Sequence, residues 1–240
     1  MNLNRFAVIA IVGVFVFRAH DACAQTNSQG QGSWSYEIVP YLWAASLEGR
    51  VGFGETTADI SADFSDLIDF VNVGASMRFF ARKPPASWFG EASYVELGSD
   101  FDTRIGSGHL STSQTFAEAG FSYELNDAFS VYGGLRFQGI HTKLSIASQR
   151  ASDTRNWVDA MAGGQWSPLR SEHWVAWLRG DVGGGSSDLV WLAEAGGGYR
   201  WTERWAAYLA YRILGTDYES GGFRYNVRQK GLLLGFGVRF

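Results

Sequence analysis

The sequence predicts an all-β fold: a transmembrane, antiparallel, up-and-down β-barrel of about ten strands, within a range of roughly eight to twelve. Three observations carry this. The last ten residues alternate, with Phe240, Val238, Phe236, Leu234 and Leu232 on one face and Arg239, Gly237, Gly235, Leu233 and Gly231 on the other. A period of two is a strand, and a strand greasy on one side and small or charged on the other suits lipid outside and a lumen inside. The connections between such strands alternate in length, short then long. The composition completes the pattern: Trp 10 and Gly 30, with lysine only at Lys83, Lys143 and Lys230. After the N-terminus, no apolar run approaches the ~20 residues of a spanning helix.

The N-terminus reads as an export signal. Arg5 gives a positive start, Phe6 to Phe17 is apolar, and Ala22-Cys23-Ala24 is an A-x-A cleavage site. Residues 1–24 are therefore expected to be a cleaved signal peptide, 25–33 a short polar segment, and 34–240 the barrel. Cys23 is the only cysteine and leaves with the signal, so the mature chain has no disulfide and no thiolate metal site. A net charge of −4 gives no footprint for nucleic acid.

Ten strands follow in order. Trp34–Ala45 opens the barrel, with Pro40 expected at a poorly paired position because it has no N–H. Asn72–Arg82 and Trp88–Leu97 flank the turn Lys83-Pro84-Pro85-Ala86. Thr115–Leu125 and Phe129–His141 flank Asn126-Asp127-Ala128. Asn156–Trp166 and Trp174–Val182 flank Ser167–Ser171. Leu189–Trp201 and Trp205–Leu214 flank Thr202-Glu203-Arg204, and Tyr225–Phe240 closes the wall. The longer connections are 46–71, 98–114, 142–155, 183–188 and 215–224. A further hairpin within Leu47–Ile60 would raise the count to about twelve. The glycine runs Gly183–Gly185 and Gly196–Gly198 are read as bends in the wall, since neither precedes a helix with a lysine as a phosphate loop requires.

Alternation turns a set of charges inward: Glu37, Arg78, Glu91, Glu118, Arg136, Asp159, Arg179, Asp181, Glu194 and Arg212, with Arg82, Glu124, Arg200 and Arg239 towards the strand ends. Every cation in this set is arginine, whose planar fork suits buried pairing. A salt-bridged filling of a narrow barrel is the expectation, and a polar lining for a small-solute channel is the alternative. Tyr41, Trp157, Trp177 and Tyr208 also point inward and take up space.

The first long connection is acidic, with Glu55, Asp59, Asp63, Asp66 and Asp69. Ile60, Phe64, Leu67, Ile68 and Val71 recur at helical spacing, predicting a short amphipathic helix near Ala62–Phe70 that plugs the mouth or rests on the membrane interface. The acids are the right ligands for a divalent cation, but they lack the D-x-D-x-D-G pattern of a calcium loop, so a solvated face is the expectation and a divalent cation site the alternative. His141 and His173 lie near strand ends and read as interfacial.

The signal peptide, the opening strand from Trp34 to Trp43, the alternation and the terminal Phe240 resemble the small Gram-negative outer-membrane β-barrel proteins, over nearly the whole mature chain. Phe64-Ser65-Asp66-Leu67-Ile68-Asp69-Phe70 is similar to a segment in members of that group with no assigned function. The resemblance implies residence in the cell outer membrane, partners among outer-membrane lipid and lipopolysaccharide, and Phe240 as the signal read by the β-barrel assembly machinery. Its motifs are specific for location and architecture and not for activity; from the residues themselves, no cofactor, no metal and no enzymatic activity are expected. A more distant resemblance is to outer-membrane lipid A deacylases, which place a His, Ser and Glu at spacings like His109, Ser111 and Glu124. The functions expected are a structural or surface-interaction barrel, alternatively a narrow channel, and most remotely a lipid-modifying hydrolase.

Overall fold

The computed structural model describes residues 33–103, 106–146 and 149–240. The expected signal peptide and the polar segment after it, as far as residue 32, lie outside the described residues.

The strands are β1 (Ser35–Phe53), β2 (Thr56–Ala62), β3 (Val71–Lys83), β4 (Ala86–Thr103), β5 (Gly106–Glu124), β6 (Phe129–Ile146), β7 (Gln149–Arg170), β8 (Trp174–Gly185), β9 (Leu189–Arg200), β10 (Trp205–Ser220) and β11 (Phe223–Arg239). Each from β3 to β10 pairs antiparallel with its successor, β3 pairs with β1, and β11 returns to β1, so the sheet closes on itself. The barrel has ten strands. The hairpin weighed for Leu47–Ile60 exists, but its second strand, β2, pairs only with the outer part of β1. It therefore rises from the wall without adding to the barrel.

Closure leaves the barrel no strand edge along its β1–β11 seam, as lipid demands, because the hydrocarbon offers no partner for a bare N–H or C=O. At the seam Tyr36 and Phe240 exchange both backbone hydrogen bonds at 3.0 Å, and their rings stack 5.9 Å apart. Pro40 acts as its chemistry requires: the β1–β11 ladder passes from Ile38↔Val238 to Tyr41↔Gly235 without the rungs at Val39 and Pro40. Small inward residues let the wall close. A Cβ on Gly231 would run into the Ala44 carbonyl.

The strands are longer than the alternation indicates. Four of the five outer connections expected as loops are continued as ladders. β4 and β5 stay paired out to Thr103↔Gly106, and β6 and β7 out to Ile146↔Gln149. Above the lipid the outward face has no reason to be greasy, so the hydrophobic period fades while the backbone pairing continues. Gly196 and Gly198 leave room for the inward rings of Trp177 and Tyr208, which occupy the space a Cβ would need.

The outer surface separates into zones. At the end where both termini of the described chain lie, aromatic pairs ring the barrel: Trp88 on Phe121 at 5.2 Å, Phe129 on Trp166 at 6.1 Å, Trp174 on Tyr199 at 4.7 Å and Trp205 on Phe236 at 5.2 Å. Above them the outward side chains are aliphatic, including Leu135, Leu178, Leu209, Leu232 and Leu234. On β11 the next outward positions are Lys230, Arg228, Asn226 and Arg224, which marks the upper limit of the apolar band. Such a greasy band above an aromatic girdle is the exterior of a membrane-spanning barrel.

Candidate functional site

The interior is the chemically rich part of the molecule, and one strand orders it. Five inward residues of β10, read from the girdle end outward, are Tyr208, Arg212, Leu214, Thr216 and Tyr218, and each belongs to a different layer.

At the girdle end Glu37 accepts a hydrogen bond from Arg82 Nη1 at 2.6 Å and another from the Tyr208 hydroxyl, with Arg239 3.9 Å away. Next come two charge quartets. In one, Arg78 and Arg212 each bridge Glu91 and Glu194, with contacts of 2.7, 2.5, 2.5 and 2.8 Å. Tyr41 donates to Glu91 at 2.5 Å, and the Trp177 indole donates to Glu194 at 3.0 Å. In the other, Arg136 bridges Glu118 and Asp181, both at 2.8 Å, while Arg179 reaches Glu118 at 2.5 Å. Tyr132 donates to Asp181 at 2.9 Å and accepts from Arg179 Nε at 3.0 Å. Each quartet holds two cations and two anions, so burial leaves no net charge to stabilise. Arg136 and Arg212 are 0% exposed, which is tolerable only because their forks are fully paired.

Further out, Phe116, Val190, Leu192 and Leu214 form a dry layer with Trp43 against it. The amides of Gln138 and Gln229 then meet Thr216 at 3.1 Å and Gln114 at 2.7 Å. Trp157, Tyr218, Tyr225 and Val227 close the outer end, with Trp157 stacked on Tyr218 at 4.5 Å.

All ten inward charges singled out from the sequence lie in the lumen, and all but Asp159 join ion pairs. Asp159 is the register partner of Arg136, yet its carboxylate is satisfied by the Ser187 backbone N–H at 2.7 Å and hydroxyl at 2.5 Å. Sequence reasoning missed Ser187, as it missed the hydroxyl and indole donors Tyr41, Tyr132 and Trp177. The residue types were visible, but their cross-barrel partners depend on strand stagger. Glu124 lies at the rim, paired with Arg170 at 3.0 Å.

The hydrolase constellation is not assembled. Ser111 and Glu124 stand on the same continuous strand, β5, about 44 Å apart at ~3.4 Å per residue, and their side chains take opposite faces. His109 Nδ1 instead pairs with Asp100 at 2.7 Å, and the Ser111 hydroxyl donates to Glu96 at 3.2 Å. His109 lies on a strand, not in the glycine-rich loop its neighbours suggest.

The amphipathic helix is shorter than expected: α1 (Phe64–Leu67) continues as a 3-10 turn (Ile68–Phe70). None of its residues is buried, so it does not plug the mouth. The Phe64 N–H donates to Ser46 Oγ at 3.1 Å, which pins the helix to the wall at the level of Lys230. Phe64, Ile68 and Phe70 are exposed there, at the top of the apolar band. Asp66 caps the helix by accepting from the Asp63 N–H at 3.3 Å. Among the described residues no group of acids or histidines has the spacing of a metal site.

A closed antiparallel barrel, apolar outside and charged inside, is an outer-membrane β-barrel. No protein-family model matches the chain, and no curated protein matches it in sequence. Solved structures of similar fold include Ail, the attachment invasion locus protein of Yersinia pestis, in complex with the heparin analogue sucrose octasulfate. That likeness has a TM-score of 0.41 and 16% identity over 87% of this chain and 99% of that one. The translocator domain of autotransporter NalP from Neisseria meningitidis is similar at TM-score 0.39 and 15% identity, over 87% and 89% of the two chains. Neisserial surface protein A is similar at 0.35 and 13%, over 88% and 100%. These are likenesses of the barrel alone.

Proposed function

We propose that this protein is a structural, surface-presenting barrel of the outer membrane, braced by its own lumen. The observation that carries the reading is the unbroken sequence of layers across the interior, from the Glu37 group through the two quartets and the dry layer to the Trp157 stack. Side chains as large as Arg136, Arg212, Leu192 and Leu214 are 2% exposed or less. Eight-stranded barrels are just wide enough for side chains to fill, and aqueous porins need sixteen or more. Ten strands belong near the filled end.

The strand-built hairpins above the lipid are then the working surface, and outer-membrane lipid and lipopolysaccharide are the immediate partners. Phe240 fits the role of an assembly signal: it is 65% exposed at the closing seam and held there by backbone pairing with Tyr36. Vesicles containing the folded protein are expected to swell in isosmotic arabinose no faster than protein-free vesicles. Rapid swelling would favour the channel alternative.

A further inference from the structure

Among the described residues, the wall has one place where lipid meets unpaired backbone. The β1–β3 ladder runs from Ser35↔Arg82 to Pro40↔Met77 and stops. β1 next finds a partner on that side at Leu47↔Ala62, on β2. Between these points Tyr41–Ser46 faces Val71–Ser76 with no rung between them. The stretch is about 17 Å long at ~3.4 Å per residue, roughly one leaflet of a ~30 Å hydrocarbon core.

Pairing rules say which groups are open. Tyr36 exchanges both hydrogen bonds with Phe240, so even-numbered β1 residues turn their amides towards β11 and odd-numbered ones towards β3. Tyr41, Trp43 and Ala45 thus aim N–H and C=O groups into the slot. Among the described residues no other backbone hydrogen bond takes them up. The far side is equally open: a Cβ on Gly74 would meet only Val71 and Val95, at 3.9 and 4.0 Å, and no atom of β1. Gly74, whose position on β3 faces the lumen, is exposed, and Asn72, in the bulge between Val71 and Val73, is exposed as well.

The slot lies within the apolar band. On the opposite side of β1, Tyr41–Ser46 pairs with Gly235–Lys230. The lipid-facing neighbours are Leu42, 68% exposed, and Val73, 52% exposed. Its floor is the Pro40↔Met77 rung, with the Arg78–Glu91 pair just beneath, and its roof is α1, pinned at Ser46. Trp43 stands behind it, against the dry layer of the lumen, with its indole N–H buried and without a partner.

Open sheet edges do not persist against hydrocarbon. We infer that this slot is a lateral binding site for an acylated lipid of the outer leaflet. The ester or amide linkage and hydroxyl groups of the lipid bond to the open β1 and β3 backbone, and its chain lies along Leu42, Ala44, Val73 and Ala75. The charge quartets below stop it from passing further, so the site holds or samples a lipid and does not transmit it to the periplasm.

The test places a bimane fluorophore on the mature full-length protein, which has no other thiol, at Ala45→Cys or Gly74→Cys. Both positions face the lumen beside the slot. The protein is refolded into phosphatidylglycerol vesicles with a doxyl quencher on the acyl chain. Lipid-facing Ala193→Cys and lumenal Ser122→Cys, away from the slot, are the references. Both slot labels are expected to lose as much fluorescence as Ala193→Cys, and Gly74→Trp, which fills the slot, is expected to abolish the loss at Ala45→Cys. Slot labels as dark-protected as Ser122→Cys would overturn the inference. So would spontaneous disulfide formation in bilayers by Trp43→Cys with Gly74→Cys, which face each other only if β1 and β3 zip shut.

Discussion

At Glu194 three donors meet one carboxylate. Arg78 reaches it with two nitrogens at 3.1 and 2.5 Å, Arg212 Nε at 2.8 Å and the Trp177 indole at 3.0 Å. Glu194→Ala leaves two buried guanidiniums sharing Glu91 and should lower stability by about 3–5 kcal/mol. Denaturant titration in vesicles, followed by the heat-modifiable gel shift, measures it; an unchanged midpoint would mean the quartet braces nothing. The exposed Glu48–Lys230 pair at 2.7 Å is the contrast. The Lys230 hydrogen bond holds the Glu48 carboxyl below the ordinary glutamate range, so the pair is intact at neutral pH and is lost only as pH falls through that lowered value. Water and salt screen it, and Lys230→Ala is expected to leave the same midpoint where it was.

At the scale of the strand, β10 places Leu209 outward, between Gly197 and Leu234, 55% exposed in the apolar band. Leu209→Arg should destabilise the barrel by ~2–4 kcal/mol if the site is near the midplane, whereas inward Ala210→Arg fails by crowding. Unfolding free energies in bilayers that do not change for Leu209→Arg would put β10 out of register. Deleting Phe240 removes the two hydrogen bonds and the ring contact to Tyr36, and the folded fraction recovered in outer membranes should drop. These faces were legible in the sequence because lipid and lumen impose opposite chemistry on alternate residues. The hairpin extensions were not, because β5 from Gly106 to Ser113 has water outside and the contrast disappears. Part of the lumen network was legible too: Arg78 and Glu91 mirror each other about Pro84-Pro85, Glu118 and Arg136 about Asp127, and Glu194 and Arg212 about Glu203. Tight turns fix register and make such pairs readable. Contacts across the barrel, such as Arg78 with Glu194 or Arg179 with Glu118, depend on stagger and leave no local trace. The unzipped β1–β3 segment was equally hidden, since Tyr41–Ser46 and Val71–Ser76 both have good strand composition.

For the whole molecule, the proposed structural role requires a lumen closed by its own side chains. The quartets are neutral, as a packed network requires and a selective pore does not, and the dry layer around Leu192 lies in series with them. Single-channel recording in planar bilayers tests this most directly, with the intact protein inserted and insertion verified by the heat-modifiable band. The predicted result is the absence of steady conductance steps across the applied voltages, unchanged in salt of either valence. Large, stable, ion-selective currents from the intact barrel would contradict it.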